Sequence, residues 1–416
     1  MAESLRRCGD RRERFLKLQT QTVAEIEQSR GLSLVANHRE HRESAAPPIT
    51  RKAIQGSRIL ELDGLRAIAI LLVIGCHYAW FASRLWGVPK FGWVGVDVFF
   101  VLSGYLITSI LLRLKGTAHP FQHFYKRRCQ RILPPLALSL LAMALACYLV
   151  GDRAFFTARS LVTKVLFLQA FRYPRFLFHP HLHSLARTTL RPSITGLEGP
   201  ISASASVLWS LSIEEYFYVL WAPVVLLLNR KSIMRLAVTI CAGEFAFRWV
   251  YFRGRQDYFS IYHRFDALIY GAIAALLFHR LIGRRWLLRV TAALSLSLIL
   301  VILWRATPFL GLDLRDDPVV MIFGLPLFAI FVGSIVCLIV MESGSHHPIW
   351  WTLRSWPMRT IGVVSYTLYL IHCLVYMLIS QVIHSMALCA FLSLGVALVV
   401  SWLSWRYIES PILAKE

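Results

Sequence analysis

A histidine and an arginine lie eleven residues apart in the first long apolar stretch of the chain. Arg66 stands near the start of this stretch and His77 toward its end. Eleven residues make close to three helical turns, so in a helix both side chains lie on one face, about 16 Å apart along the axis. An ionisable group inside a membrane costs about 2.5–3.5 kcal/mol and therefore needs a partner or a function. A lone intramembrane histidine is more often a packed residue than a catalyst, but the matching arginine favours catalysis.

Two acidic residues are predicted at the same membrane depth as His77. Asp97 lies about one and a half turns inside the second apolar stretch, where the simpler interpretation is a carboxylate favoured by the helix dipole. Glu215 follows Ser212 by three residues, so both lie on one helix face, although Ser-x-x-Glu is also a capping-box pattern. His77, Asp97 and Glu215 could therefore meet in one pocket.

The composition indicates which elements position these residues. Of 416 residues, 56% are hydrophobic, above the roughly 45–50% of soluble domains, and the mean hydropathy is +0.56. This predicts an all-α polytopic membrane protein.

The net charge of +22 is typical of basic cytoplasmic loops. We expect no nucleic-acid partner, because no basic face interleaved with aromatic residues stands apart from the apolar stretches. The eight cysteines form no Cys-x-x-Cys pair, so we expect no metal site from them.

Apolar stretches recur at the length needed to cross about 30 Å of hydrocarbon, which is roughly 20 helical residues. They predict a bundle of ten transmembrane helices near residues 62–82, 92–112, 132–150, 207–228, 236–252, 265–282, 287–304, 319–340, 361–381 and 387–405. The apolar piece at 160–171 is short, and we place it as an interfacial or re-entrant segment. If it crosses, the bundle has eleven helices.

Basic residues follow the second, fourth and sixth predicted spans. All three groups fall on one side when both termini are cytoplasmic, as the positive-inside rule predicts: Lys126, Arg127, Arg128 and Arg131; Arg230, Lys231 and Arg235; Arg280, Arg284, Arg285 and Arg289. Residues 1–57 are polar and cannot bury a core, which predicts a disordered cytoplasmic extension. Residues 58–416 form the predicted transmembrane domain.

Several blocks, in fixed order, resemble the acyltransferase-3 family of integral membrane O-acyltransferases. Arg66 and His77 look like the family's Arg-x10-His signature. Further matching blocks are Gly95-Val96-Asp97 through Ile107, Arg127-Arg128-x-x-Arg131, Ser212-x-x-Glu215, Arg264-Phe265-Asp266, Ser365-Tyr366-x-x-Tyr369-Leu370-x-His372 and Glu409-Ser410-Pro411. The resemblance runs from about residue 58 to the C-terminus.

The resemblance implies transfer of an acyl group, most commonly acetyl in this family, from cytoplasmic acyl-CoA to a hydroxyl of a cell-surface or exported glycan. It implies the lipid bilayer, acyl-CoA and a carbohydrate or lipid-linked acceptor as partners, and a bacterial inner membrane as the location. Acyl-CoA is then a co-substrate, and we expect no permanently bound cofactor and no metal.

For such a reaction, the chemistry of the candidate side chains suggests a role for each of them. His77 suits a general base or, alternatively, a carrier that holds the acyl group as an acyl-imidazole. Asp97, or with less support Glu215, would orient the imidazole and stabilise its charged form. The CoA phosphates would be bound by Arg66, Arg127, Arg128 and Arg131. The acceptor would be bound by Ser212, Tyr369 and His372. The alternative for Tyr369 and His372 is that they only pack in the bundle.

Other interpretations stay open at this point. A proton-coupled transporter or flippase also places His, Asp and Glu inside a bundle, although no inverted repeat is evident. A catalytically silent membrane scaffold is a second alternative. His179, His181 and His183 alternate in a long loop and could bind a metal. Arg264 and Asp266 are expected to form a structural pair at a helix entrance.

Overall fold

The computed structural model describes residues 58–81, 91–171, 202–252, 254–306 and 314–414, so the predicted extension 1–57 lies outside the described residues. These ranges contain helices and no strand. We number the α-helices α1 to α13 in chain order: Leu60–Phe81, Val94–Leu114, Pro120–Val150, Ala158–Val165, Leu208–Leu227, Arg230–Tyr251, Phe265–Leu281, Arg285–Ala306, Leu325–Glu342, Pro348–Arg354, Trp356–Ser380, Met386–Ser404 and Ser410–Leu413. One π-helical turn, Val320–Gly324, precedes α9, and another, Trp405–Glu409, follows α12.

Seven helical stretches in the described ranges are long and apolar enough to cross a membrane: Val94–Leu114, Pro120–Val150, Ser204–Leu227, Arg285–Arg305, Val320–Glu342, Trp356–Ser380 and Met386–Leu413. They confirm the all-helical class and support an integral membrane protein. Helices α1, α6 and α7 correspond to three further predicted spans but are not in this set. The count of ten or eleven and the cytoplasmic termini therefore stay predictions. Helix α4 has eight residues and rises only about 12 Å.

The basic segment after the second predicted span is helical, so its prediction as a loop was wrong. Helix α3 begins at Pro120, in a position that suits a helix start, and Arg127, Arg128 and Arg131 lie within it. Its internal Pro134 and Pro135 do not end it, because neighbouring helices in a membrane can satisfy the freed backbone groups. The three guanidinium groups are therefore held on a helix of the bundle.

Glu61 anchors the start of the helix that carries both Arg66 and His77. Its side chain is 1% exposed and accepts hydrogen bonds from Ser343 Oγ at 3.0 Å and Gly344 N at 2.8 Å. These contacts tie α1 to the segment between α9 and α10 and hold its register in the bundle.

Helices α2 and α7 cross at two glycines that face each other's backbone. A Cβ atom on Gly104 would overlap the carbonyl oxygen of Leu268, and one on Gly271 would overlap that of Val101. Small residues at such crossings let helix backbones approach closely in lipid. This crossing aligns Asp97, near the start of α2, with Arg264, which immediately precedes α7.

We expect Gly104→Ala to destabilise the fold by about 1–3 kcal/mol, because the added methyl group forces the helices apart. The measurement is the thermal unfolding midpoint of the detergent-solubilised chain, followed by size-exclusion chromatography with fluorescence detection. Gly395→Ala is the matched control, since a Cβ atom there meets no atom within 4 Å. Equal midpoints for the two variants would show that the close crossing does not contribute to stability.

Candidate active site

His77 of α1 contacts His372 of α11, although the two residues are 295 positions apart in sequence. His77 Nδ1 lies 2.7 Å from His372 Nε2, and the rings are nearly parallel, with an interplanar angle of 8° and centroids 5.0 Å apart. His77 is half-buried, whereas His372 is 0% exposed. The pair therefore joins a partly buried histidine to a fully buried one.

The buried imidazole is also bound to its own helix. His372 Nδ1 lies 2.7 Å from the carbonyl oxygen of Tyr369 and 3.2 Å from that of Leu368. The hydroxyl of Tyr78 donates to the carbonyl oxygen of His372 at 3.3 Å. These contacts hold the His372 ring in one orientation against α1.

Tyr369 and Ser212, both predicted to bind the acceptor, are engaged in contacts between helices. The Tyr369 hydroxyl lies 2.6 Å from Ser210 Oγ and donates to the carbonyl oxygen of Val207 at 2.9 Å. Ser212 Oγ lies 2.7 Å from Gln169 Oε1 and 2.9 Å from the carbonyl oxygen of Leu208. These hydroxyls tie α5 to α11 and to residues 168–171, and a role in acceptor binding stays a prediction.

The Ser-x-x-Glu segment is not a capping box. Helix α5 begins at Leu208, with no side-chain cap at the preceding residue, so Ser212 and Glu215 lie in its second turn. Helix capping therefore does not explain why a glutamate occupies position 215.

Asp97 is bound to a partner other than His77. Its carboxylate forms an ion pair with Arg264 and accepts a hydrogen bond from the Tyr258 hydroxyl at 3.3 Å. Arg264 is 0% and Asp97 2% exposed, and the guanidinium carbon lies 4.5 Å from the Tyr258 ring centroid. Among the described residues no hydrogen bond joins Asp97 to His77, whose Nδ1 lies 2.7 Å from His372 Nε2 and 3.8 Å from Cys373 Sγ. An orienting role of Asp97 stays a prediction.

Arg264 and Asp266, expected to form a structural pair, interact electrostatically, but each forms its ion pair with another residue. Asp266 forms its ion pair with Arg248 of α6, and its backbone N–H donates to Glu244 Oε2 at 3.0 Å. Residues two apart at a helix start point to different sides, so each of these charges binds a different helix.

Glu215 lies beside Glu214 and interacts electrostatically with Arg128 of α3. Glu214 accepts hydrogen bonds from Ser103 Oγ at 2.9 Å and from the Tyr218 hydroxyl at 3.1 Å. Two carboxylates and a guanidinium thus line the contact between α3 and α5. This acidic pair faces the arginine helix, and no hydrogen bond between Glu215 and His77 occurs among the described residues.

The arginines predicted to bind phosphate have different surroundings. Arg66 forms an ion pair with Asp63 at 2.8 Å and keeps a 19% exposed side chain. Arg131 is exposed and interacts electrostatically with Glu214 and Glu409. Both are accessible cations, and phosphate binding by them stays a prediction.

A family model described as an acyltransferase domain matches residues 59–406, a stretch that contains His77, Asp97, Glu215, Arg264 and His372. The chain belongs to the acyltransferase-3 family. The match confirms the resemblance and identifies an acyltransferase domain.

Curated relatives of this acyltransferase-3 chain include bacterial O-acetyltransferases. The peptidoglycan O-acetyltransferase OatA of Listeria monocytogenes is 27% identical over 372 residues, covering 84% of this chain and 55% of OatA. The Bacillus subtilis protein YrhL, to which the same activity is assigned provisionally, is 30% identical over 380 residues, covering 84% of this chain and 54% of YrhL. The chain therefore spans about half the length of these relatives. No solved structure matches it.

Three side chains of the acyltransferase-3 site lie close enough together to bind a metal ion. The ligand atoms of His77, His372 and Cys373 lie within 4.8 Å of one another, with Cys373 Sγ 3.2 Å from His372 Nε2. The 2.7 Å separation of the two imidazole nitrogens fits a direct hydrogen bond. His179, His181 and His183 lie outside the described residues.

The acyltransferase-3 domain also contains a buried polar cluster that sequence reasoning missed. Glu244, Arg248 and Asp266 join α6 to α7, and Arg248 is 0% exposed. A signal was present, because opposite charges four residues apart inside an apolar stretch lie on one helix face and indicate a buried partner. No comparable signal joins His77 to His372, because their contact depends on how α1 and α11 pack.

Proposed function

We propose that this chain transfers an acetyl group from acetyl-CoA to a hydroxyl of a bacterial cell-wall glycan. The half-buried His77, held by His372 within an acyltransferase-3 domain, is the observation that carries this proposal. The names of the relatives from Listeria and Bacillus support peptidoglycan as the acceptor class. We further propose that the protein resides in the bacterial cytoplasmic membrane with both termini in the cytoplasm.

The chemistry requires a group that accepts a proton from the attacking hydroxyl. An alcohol is a weak nucleophile near neutral pH, and imidazole is the side chain best suited to take its proton. The hydroxyl oxygen attacks the thioester carbonyl carbon, the carbon–sulfur bond breaks, and the thiolate of CoA leaves and is protonated. His77 supplies the base, or first carries the acyl group as an acyl-imidazole.

The positions of Arg66 and His77 on α1 suggest how donor and acceptor are separated. The residues lie about 16 Å apart along the helix axis, so a donor anchored by phosphates at the arginine end can extend its thioester toward His77. Arg127, Arg128 and Arg131 of α3 would add cationic contacts at the donor end. The acceptor hydroxyl would then enter from the His77 end.

The decisive experiment uses the full chain in liposomes with radiolabelled acetyl-CoA and chemically O-deacetylated peptidoglycan. We expect radiolabel in the glycan fraction that mild alkali releases as acetate, because an O-ester is alkali-labile and an amide is not. Radiolabel that stays soluble, with every component present, contradicts the proposed transfer. Glycan that moves across the liposome membrane without acylation would favour the transporter alternative.

We expect Arg131→Gln to raise the KM for acetyl-CoA by about ten- to a hundredfold, since a hydrogen bond to a charged group contributes about 1.5–3 kcal/mol. S-acetylpantetheine, which lacks the phosphates, serves as the second donor. With this donor, the wild type and the variant should have equal kinetic constants, because S-acetylpantetheine has no phosphate that Arg131 could contact.

Arg235→Gln is the matched control for this experiment, because Arg235 is exposed on α6 and belongs to no predicted donor contact. A KM that rises equally for both donors would show that Arg131 acts on the fold and not on the phosphates.

A further inference from the structure

We propose that His372 is a positioning residue that holds His77 with a proton on Nδ1 and a lone pair on Nε2, and so selects the reacting nitrogen. This inference rests on the proposed function of His77. In this inference the group that orients His77 is a second imidazole, hydrogen-bonded to the backbone of its own helix, and not a carboxylate. It also gives His372 a role other than acceptor binding, in keeping with its fully buried ring.

The proton on His372 is located by its backbone contacts. The carbonyl oxygens of Tyr369 and Leu368, 2.7 and 3.2 Å from His372 Nδ1, can only accept hydrogen bonds, so Nδ1 must carry the hydrogen. A neutral imidazole has a single N–H, and its other nitrogen is an acceptor. Because His372 is fully buried in an apolar bundle, the neutral form is favoured, and His372 Nε2 therefore presents a lone pair.

The proton on His77 follows from the same contact. His77 Nδ1 lies 2.7 Å from His372 Nε2, and two lone pairs at that distance would repel. His77 Nδ1 must therefore donate, which leaves the lone pair on His77 Nε2. The hydrogen bond made by one ring nitrogen decides whether the other nitrogen is protonated. A chain of hydrogen bonds therefore runs from the Tyr369 carbonyl oxygen through His372 and His77 to the substrate.

This chain of hydrogen bonds matters because a histidine side chain in water favours the opposite tautomer, with the hydrogen on Nε2. Without His372, that hydrogen would block the nitrogen that must accept a proton or bond to the acyl carbon. When His77 Nε2 takes the proton of the hydroxyl, the bond from Nδ1 to His372 becomes charge-assisted and stronger. His372 thus also stabilises the charged intermediate state of His77.

The test compares His372→Leu with His372→Gln in the full chain in lipid bilayers. Leucine removes the acceptor, whereas the glutamine carbonyl oxygen can accept from His77 Nδ1. We expect His372→Leu to lower kcat by up to about 10⁴-fold, the loss that the wrong histidine tautomer causes in a hydrolytic triad, with little change in the KM for the donor. His372→Gln should recover most of the activity. His384→Gln, an exposed histidine, should be unchanged.

The second readout is solid-state ¹⁵N NMR of histidine-labelled chain, with the His77 resonances assigned by their loss in His77→Gln. In wild type and His372→Gln we expect a protonated Nδ1 and an unprotonated Nε2, and in His372→Leu the reverse. An unchanged His77 tautomer in His372→Leu overturns the inference, even if activity falls. The NMR readout requires no turnover, so a wild-type chain with the expected tautomer but no acyl transfer contradicts only the proposed function.

Discussion

His77→Gln is expected to lower kcat for acetyl transfer by about 10²- to 10⁴-fold, the usual contribution of a positioned proton acceptor. Glutamine retains a polar group near His372, so the bundle should stay folded, but an amide cannot accept the proton of the hydroxyl. The measurement is the rate of alkali-labile radiolabel transfer to O-deacetylated glycan. His123→Gln, an exposed histidine on α3, is the control and should match wild type. Transfer that persists in His77→Gln would remove His77 from the mechanism.

The same assay without acceptor distinguishes the two roles of His77. If His77 carries the acyl group, mixing the chain with acetyl-CoA releases up to one equivalent of CoA thiol in a rapid burst, and this burst disappears in His77→Gln. If His77 acts only as a base, no thiol is released until acceptor is added. The burst amplitude thus decides between a one-stage and a two-stage reaction.

Asp97→Asn is expected to destabilise the protein by about 3–5 kcal/mol, the usual cost of leaving one member of a buried ion pair without its partner. Arg264 is fully buried, and with asparagine at position 97 it would lose its ion-pair partner. The measurement is the unfolding midpoint of the chain in detergent. Asp317→Asn is the matched control, because its partner Arg305 has a 47% exposed side chain and exposed pairs contribute about 0–1 kcal/mol.

The double variant Asp97→Leu/Arg264→Met tests whether Asp97 is also needed for catalysis. Replacing both charges by apolar groups is often neutral or stabilising, so we expect the unfolding midpoint to recover. We also expect acyl transfer to be largely retained, because His372 and not Asp97 contacts His77. A stable but inactive double variant would support the hypothesis that Asp97 takes part in the reaction.

Local sequence patterns predicted the helical class, most helix positions and the shared face of Arg66 and His77. These features depend on the period of the helix and on runs of apolar residues, both of which can be read within twenty positions. The predicted helix boundaries were less accurate where one sequence pattern fits two local structures. The third span was predicted near residues 132–150, whereas the helix already begins at Pro120, and Ser212 fits a capping-box pattern although it lies inside α5.

Partners of buried charges could not be predicted, because they depend on the packing of helices that are distant in sequence. Arg264 and Asp266 are two residues apart, yet each pairs with a different helix. Asp97 shares its predicted depth with His77, but the α2–α7 crossing at Gly104 places it against Arg264. Depth in the membrane restricts which charges can meet, and rotation about the helix axis decides which ones do.

The amino-acid sequence by itself placed His77 in an apolar helical stretch, predicted that it shares a helix face with Arg66, and contained acyltransferase-3 motifs. Those properties are local or shared with relatives, so they require no coordinates. Only the tertiary structure decided that His372 contacts His77, because 295 residues separate them and the 2.7 Å contact exists only when α1 packs beside α11. Because a hydrogen bond depends on distance and direction, this packing determines which nitrogen of His77 carries the proton.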